Sequence, residues 1–145
     1  MFQVLDITAS ALTAQRVRME VAAENIANAE STRGGPGGGP YRRKQVVLAA
    51  GEGLDYASPV GGGPPAANGA AGVTVLGIEE DQSPLPQVYD PSHPDANADG
   101  YVSYPNVYVP IEMADMLAAS RAYEAAAAAM KAASEGNTLT LDLLR

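Results

Sequence analysis

The sequence predicts an α+β chain, with a long helix at each end and a small antiparallel, β-rich middle. Three observations predict it. All 11 prolines fall between Pro36 and Pro110, and of the 15 glycines only Gly136 lies outside residues 34–100. Each end carries apolar residues at alternating spacings of three and four, which is the period of a helical seam. The middle carries short β-branched runs bounded by Gly, Pro, Asn and Asp. Three segments follow: an N-terminal helical segment, 1–33, a middle segment, 34–109, and a C-terminal helical segment, 110–145.

The first seam runs through Phe2, Leu5, Ala9, Leu12, Arg16, Met19, Ala23 and Ile26. Arg16 interrupts it, but its aliphatic stem packs while its head reaches water. The last seam runs through Met113, Met116, Ser120, Tyr123, Ala127, Met130, Ser134, Asn137, Leu141 and Leu144. Pro110 suits the first turn of that helix and Glu112 complements its positive end. Gly136 costs about 1 kcal/mol in a helix interior, which leaves open a kink or end there, while apolar spacing that resumes at Leu141 leaves open a continuous helix. Both seams are rich in small or polar residues and bury little on their own. They fit either an ordinary antiparallel hairpin or close packing among several helices.

In the middle, strands are expected at Gln45–Ala50 and Val73–Glu80, with two shorter ones in "PQVYD" and "GYVSY". Together they fit one small antiparallel sheet.

Composition narrows the function. Net charge is -8, which argues against nucleic acid as the main partner. Three cations in "RRK", residues 42–44, do not outweigh it, and a solvated strand edge or an acidic protein neighbour suits them better. No apolar run is long enough to span a membrane, and "MFQVLDITAS" lacks the regions of a secretory signal. With no Cys there are no disulfides, thiolate metal sites or thiol chemistry.

Chemical motifs are few. "DANADG" matches the front half of a calcium loop, with Asp95, Asn97, Asp99 and the turn Gly100. Its twelfth position is Asn106 rather than a bidentate glutamate, and an Asx turn between strands explains the same residues. His93, the only histidine, sits between two prolines and reads as a turn residue. No nucleophile elbow, carboxylate pair or phosphate loop is present. The chain is therefore read as a non-enzyme without metal or cofactor.

Asn25 and Asn28 in "AENIANAEST" stand three apart on one helical face, just before the helix stops. Asparagine is a mediocre helix former. The pair either satisfies polar groups of adjacent subunits or serves as a helix C-cap.

"SALTAQRVRMEVAAENIANAESTR", residues 10–33, resembles the N-terminal signature of bacterial flagellar rod and hook proteins. "GGPYRRKQVV", "VYDPSHPDANADGYVSYPNV" and "EMADMLAASRAYEAAAAAMKAA" resemble the proximal-rod members of that family. The run "AAAAAM", Pro110 and the loops "GGPGGG" and "GGGPPAANGAAG" depart from the family pattern. The resemblance implies terminal helices paired as the inner layer of a helical tube, with the middle segment outside. It implies partners that are other rod subunits, copies of the same chain and the flagellar type III export apparatus. It also implies a place in the periplasmic rod of the basal body, reached without a cleaved signal peptide. A chain without Cys suits that oxidising compartment. The assembly interface is then expected along Leu5, Leu12, Arg16, Met19, Asn25, Ile26 and Asn28 on the first helix. On the last it is expected along Met113, Met116, Ser120, Tyr123, Met130, Leu141 and Leu144.

Overall fold

A computed structural model describes residues 2–35, 38–50 and 72–142, with only the backbone placed at residues 2, 3 and 137–142. Helix α1 spans Phe2–Ala27 and helix α2 spans Val109–Asp142. Between them lie β1, Lys44–Ala50, β2, Val73–Glu80, β3, Gln87–Tyr89, and β4, Tyr101–Ser103. Among the described residues the strands form two separate antiparallel ribbons, β1 with β2 and β3 with β4, rather than the single sheet expected. Among the described residues no strand bridges them.

α1 ends where Asn28 takes over the terminal carbonyls. Its backbone N–H and its side-chain amide both donate to the Glu24 carbonyl, at 3.1 and 3.0 Å. Ser31 then donates its hydroxyl to Asn28 Oδ1 at 3.2 Å. α2 starts from the Tyr108 carbonyl, which accepts from the Ile111 and Glu112 amides at 2.9 and 3.1 Å. Pro110 sits in the first turn, where its missing N–H is no loss. Of the two courses open at Gly136, the helix takes the continuous one and runs through it to Asp142. A cost of this size does not by itself end a helix of this length, which the alanine-rich run before it favours.

The first ribbon lies along α1. At one end the Val73 amide donates to Ser10 Oγ at 3.1 Å, and at the other Lys44 meets Asn25. Its pairing runs from Lys44 opposite Glu80 to Ala50 opposite Val73, with a bulge between Val47 and Leu48. Gly72 is required at the Ser10 end. Its φ is 78°, and a Cβ there would stand 2.3 Å from Ser10 Oγ. The second ribbon is closed by the loop 90–100. Asp90 Oδ1 accepts from the Ser92 amide and hydroxyl at 3.1 and 2.6 Å, and the Asp90 amide donates to the Gly100 carbonyl at 2.9 Å. The Tyr89 and Tyr101 rings meet edge to face, 5.2 Å apart.

α1 and α2 pack on each other extensively, and α1 also carries the first ribbon; among the described residues α2 packs on no strand. Among the described residues the buried apolar side chains are few and mostly small: Ala14, Val21 and Ala22 on α1, Ala119 on α2, and Tyr41, Val102 and Pro105 between. These helix positions differ from the predicted seams. Ala9, Arg16 and Ala23 are exposed, and Leu5, Leu12, Met19 and Ile26 are half-buried. On α2 the inward face passes through Glu112 and Ala119, one residue before the predicted seam. Met113 and Tyr123 are exposed, while Met116, Ser120 and Met130 are half-buried. The side chain of Leu141 and all of Leu144 lie outside the described residues.

Two glycine substitutions separate these effects. Gly72→Ala is expected to destabilise the chain by more than about 1 kcal/mol, because it adds a Cβ at positive φ against a side chain. Gly136→Ala, with nothing within 4 Å of its added Cβ, is expected to raise the far-UV helical signal and not lower the melting temperature. Circular dichroism on both variants checks the pair.

Candidate functional site

The polar centre of the molecule is Asn25. It is 1% exposed, and all four hydrogen-bonding positions of its amide are filled from within the chain. Nδ2 donates to the Lys44 carbonyl at 2.9 Å and to Glu112 Oε2 at 2.8 Å. Oδ1 accepts from the Tyr41 hydroxyl and from the Lys44 amide, each at 2.9 Å. An amide side chain has two donors and two acceptor lone pairs, so Asn25 is saturated. One side chain thus joins α1, the entry to β1 and the first turn of α2.

Glu112 is the second member. It is 2% exposed, and its other oxygen, Oε1, accepts from Arg43 Nε at 2.6 Å. Arg43 also stands 3.6 Å from Asp115 and 3.9 Å from Asp81. A buried carboxylate is tolerated when it is paired and hydrogen-bonded on its remaining lone pairs, as here. The backbone around Arg43 is held as well. Its amide donates to Asn106 Oδ1 at 2.8 Å, Asn106 Nδ2 donates to the Asp81 carbonyl at 3.1 Å, and the Asp81 amide returns to the Arg43 carbonyl at 2.8 Å. Lys44 extends the network outward by donating to Glu24 Oε1 at 2.5 Å, and its ammonium stands 5.6 Å from the Tyr41 ring centre. Among the described residues no buried side-chain nitrogen or oxygen lacks a partner.

Burial pushes the Tyr41 phenol up to about 12, helped by the carboxylates of Glu24, Glu112 and Glu80. The phenol therefore stays neutral and keeps donating to Asn25. Asp81 is held below the usual carboxylate range by the Ser83 hydroxyl and amide.

A second tether binds the segment after α1 to the loop 90–100. Thr32 donates its hydroxyl to Asp95 Oδ2 at 2.7 Å, and Arg33 pairs with Asp95 Oδ1. The Thr32 hydroxyl and then Arg33 hold the Asp95 carboxyl below its ordinary value. Asn97 Oδ1 accepts from the Asp99 and Tyr101 amides at 3.0 and 2.8 Å, and His93 Nδ1 accepts from the Asp95 amide at 3.1 Å. These are Asx-turn contacts. Both carboxylate oxygens of Asp95 face protein donors. Among the described residues no group of three or more His, Asp or Glu is placed to hold a metal ion.

The structure rearranges the expected site. Asn25 meets groups of its own chain, and Asn28 caps α1. The "RRK" cations, expected at a solvated edge or an acidic partner, are engaged internally. Arg42 donates to the Asp81 and Ser83 carbonyls, and Arg43 and Lys44 pair with Glu112 and Glu24. Arg16 pairs with Glu20 on the exposed face of α1. Sequence reading missed the roles of Tyr41, Arg43, Asn106 and Glu112. A buried charge at the start of a helix looks in sequence like a dipole-compensating surface residue, and no spacing links positions 25, 43 and 112.

The comparisons with known proteins fit this geometry. Residues 5–34 match the family described as "Flagella basal body rod protein", and residues 98–137 match "Flagellar basal body rod FlgEFG protein C-terminal". The chain is 46% identical to the flagellar basal-body rod protein FlgC of Bacillus subtilis, across 90% of this chain and 89% of that protein. It is 46% identical to FlgC of Escherichia coli O157:H7 across 86% and 84%. It is 39% identical to FlgC of Agrobacterium fabrum across 96% and 91%.

Two predictions follow from the network. Asn25→Ala leaves the Glu112 carboxylate, the Tyr41 hydroxyl and both Lys44 backbone groups short of a partner. It is expected to destabilise the chain by roughly 2–4 kcal/mol in denaturant unfolding. The Tyr41 shift has a pH signature. Its value rises from 10.0 in the unfolded chain to about 12 when folded, so its contribution is fully present below pH 10 and is lost as pH rises toward about 12. Tyr41→Phe is expected to remove that part of the alkaline loss, as read by unfolding free energy against pH for both chains.

Identity of this level across nearly the whole of both chains, together with both rod-family matches, assigns the chain to the FlgC family of flagellar basal-body rod proteins.

Proposed function

We propose that the chain is a structural subunit of the proximal rod in a bacterial flagellar basal body, part of the shaft that transmits torque. The observation that carries this reading is its extended similarity to FlgC proteins, 39–46% identical over most of each chain. The fold supports it. Two long terminal helices are joined by a saturated polar network, and much apolar surface is left outside it. Ile111, Met113 and Leu117 on α2, Leu76 and Ile78 on β2, and Tyr108 before α2 are all more than half exposed. Isolated monomers have little use for such a surface. Arg43 and Glu112 neutralise each other, and the reading assigns no catalytic role to any residue.

The partners are other rod subunits and copies of the same chain. Segments 1–33 and 110–145 form the packing unit, and 34–109 lies outside it. Contacts run along Leu5, Leu12, Met19 and Ile26 of α1, and along Met113, Met116, Ser120, Tyr123 and Met130 of α2. Subunits reach the periplasmic rod through the flagellar type III export apparatus without losing a signal peptide. No helix among the described residues is long and apolar enough to cross a membrane.

The test separates folding from assembly. In a motile host lacking its own copy of the gene, this chain is expected to restore swimming. Met113→Glu and Leu117→Glu change exposed positions, so each is expected to leave the melting temperature within about 2 °C, as surface substitutions do. Each is also expected to abolish swimming and rod assembly. Normal swimming by both variants would overturn the assembly role of that face.

A further inference from the structure

We infer that His93 makes the loop 90–100 a pH-sensitive switch. Its neutral ring holds the Asp95 amide; on gaining a proton the ring turns to the Asp95 carboxylate and loosens that carboxylate's grip on Thr32 and Arg33. The inference concerns the middle of the chain and stands apart from the assembly reading.

Geometry fixes where the neutral ring carries its hydrogen. His93 Nδ1 stands 3.1 Å from the Asp95 amide nitrogen and accepts its hydrogen. A ring nitrogen accepts only when it is unprotonated, so the hydrogen of the neutral imidazole sits on Nε2. The amide is held in place by its own turn. The His93 carbonyl accepts from the Ala96 amide at 3.0 Å, which closes a turn over Pro94, and proline fixes φ at the second position of such a turn. A proton on Nδ1 sets two donors against each other across 3.1 Å. The ring is the partner that gives way, because its side chain is 25% exposed while the amide belongs to the turn.

The charged ring has an acceptor within reach. Asp95 Oδ2 lies 3.9 Å from Nδ1. That oxygen now accepts from the Thr32 hydroxyl at 2.7 Å, and Oδ1 pairs with Arg33. The other carboxylate facing the ring is Asp90, which the Ser92 amide and hydroxyl engage. Tyr104, after β4, presents its ring edge-on at 6.3 Å. Two carboxylates and one guanidinium leave a surplus negative charge around the neutral ring, so an imidazolium is drawn to Asp95. There it competes with the Thr32 hydroxyl for Oδ2 and adds a second cation to the carboxylate that Arg33 holds. The tether between the exit of α1 and the loop weakens as a result.

His93 is the only histidine, and histidine is the side chain whose ordinary charge change falls between pH 5 and 8. Nuclear magnetic resonance on the nitrogen-labelled full chain reads each part of the switch. At the upper end of that range the ring is expected to carry its hydrogen on Nε2, with Nδ1 bare. As pH falls, the Asp95, Thr32 and Arg33 amide signals are expected to shift with the same midpoint as the ring. Protection of the Asp95 amide against exchange, corrected for pH, is expected to drop about five- to tenfold, the loss of one hydrogen bond. In His93→Gln the three amide signals are expected to stay in place over the same range, since glutamine accepts a hydrogen bond but takes up no proton. A neutral ring with its hydrogen on Nδ1 would overturn the inference. So would amide signals that ignore the ring's midpoint, or that still move with it in His93→Gln.

Discussion

The hydrogen bond from the Asn25 amide to the Glu112 carboxylate, 2.8 Å long and shielded from water, sets how the two helices face each other. Glu112 reaches Asn25 only if α2 turns one residue away from its apolar seam, and Asn25 reaches Glu112 only if α1 turns its own seam partly outward. The rotation of both helices is thus decided by polar contacts. Alanines at positions 14, 22 and 119 permit this, because small side chains accept many rotations at close approach. A leucine seam would have imposed its own register.

A polar network is an unusual centre for a core this small, and its energetics explain its form. Burying a carboxylate and a guanidinium costs several kcal/mol per ion before pairing. That cost is offset only when every remaining donor and acceptor is used, and here the Asn25 amide has no position left over. Such a network discriminates sharply between the correct arrangement and any other, since one displaced member leaves a buried group unpaired. An apolar core of the same size tolerates sliding; this one does not. Tyr41 serves the same end. Its hydroxyl donates to Asn25 at 2.9 Å, and its raised pKa preserves that donor to higher pH.

Much of the architecture was legible because it is local. The confinement of proline and glycine to the middle located both helices, and β-branched alternation located β2 at Val73–Glu80 with its observed bounds. Asp95, Asn97 and Gly100 announced a turn, and a turn forms. The illegible parts are non-local. Residues 25, 41, 43, 44, 106 and 112 come together because the first ribbon doubles back along α1, and nothing within a dozen residues of any of them encodes that. The rotation of the two helices on each other is non-local for the same reason: a heptad count weighs apolar residues and is blind to a glutamate drawn inward by an arginine far away in sequence. Gly136 shows the opposite limit, where a single-residue cost does not end a long helix.

The placement of the network at one end of the hairpin links this physics to the role of a rod subunit. A subunit that must pack against several neighbours cannot bury its apolar faces within itself. The folded chain must still present those faces at a fixed angle. Concentrating specificity in a saturated polar cluster meets both requirements. The cluster fixes orientation while consuming almost no apolar surface, so Met113, Leu117, Leu76 and Ile78 remain outside it. The same division explains why a small apolar core of Ala14, Val21, Ala22 and Ala119 carries a buried polar cluster, while larger apolar side chains stand exposed. The arrangement is stable because the charges inside are few and paired, and because the apolar groups outside are spread over two helices and a ribbon.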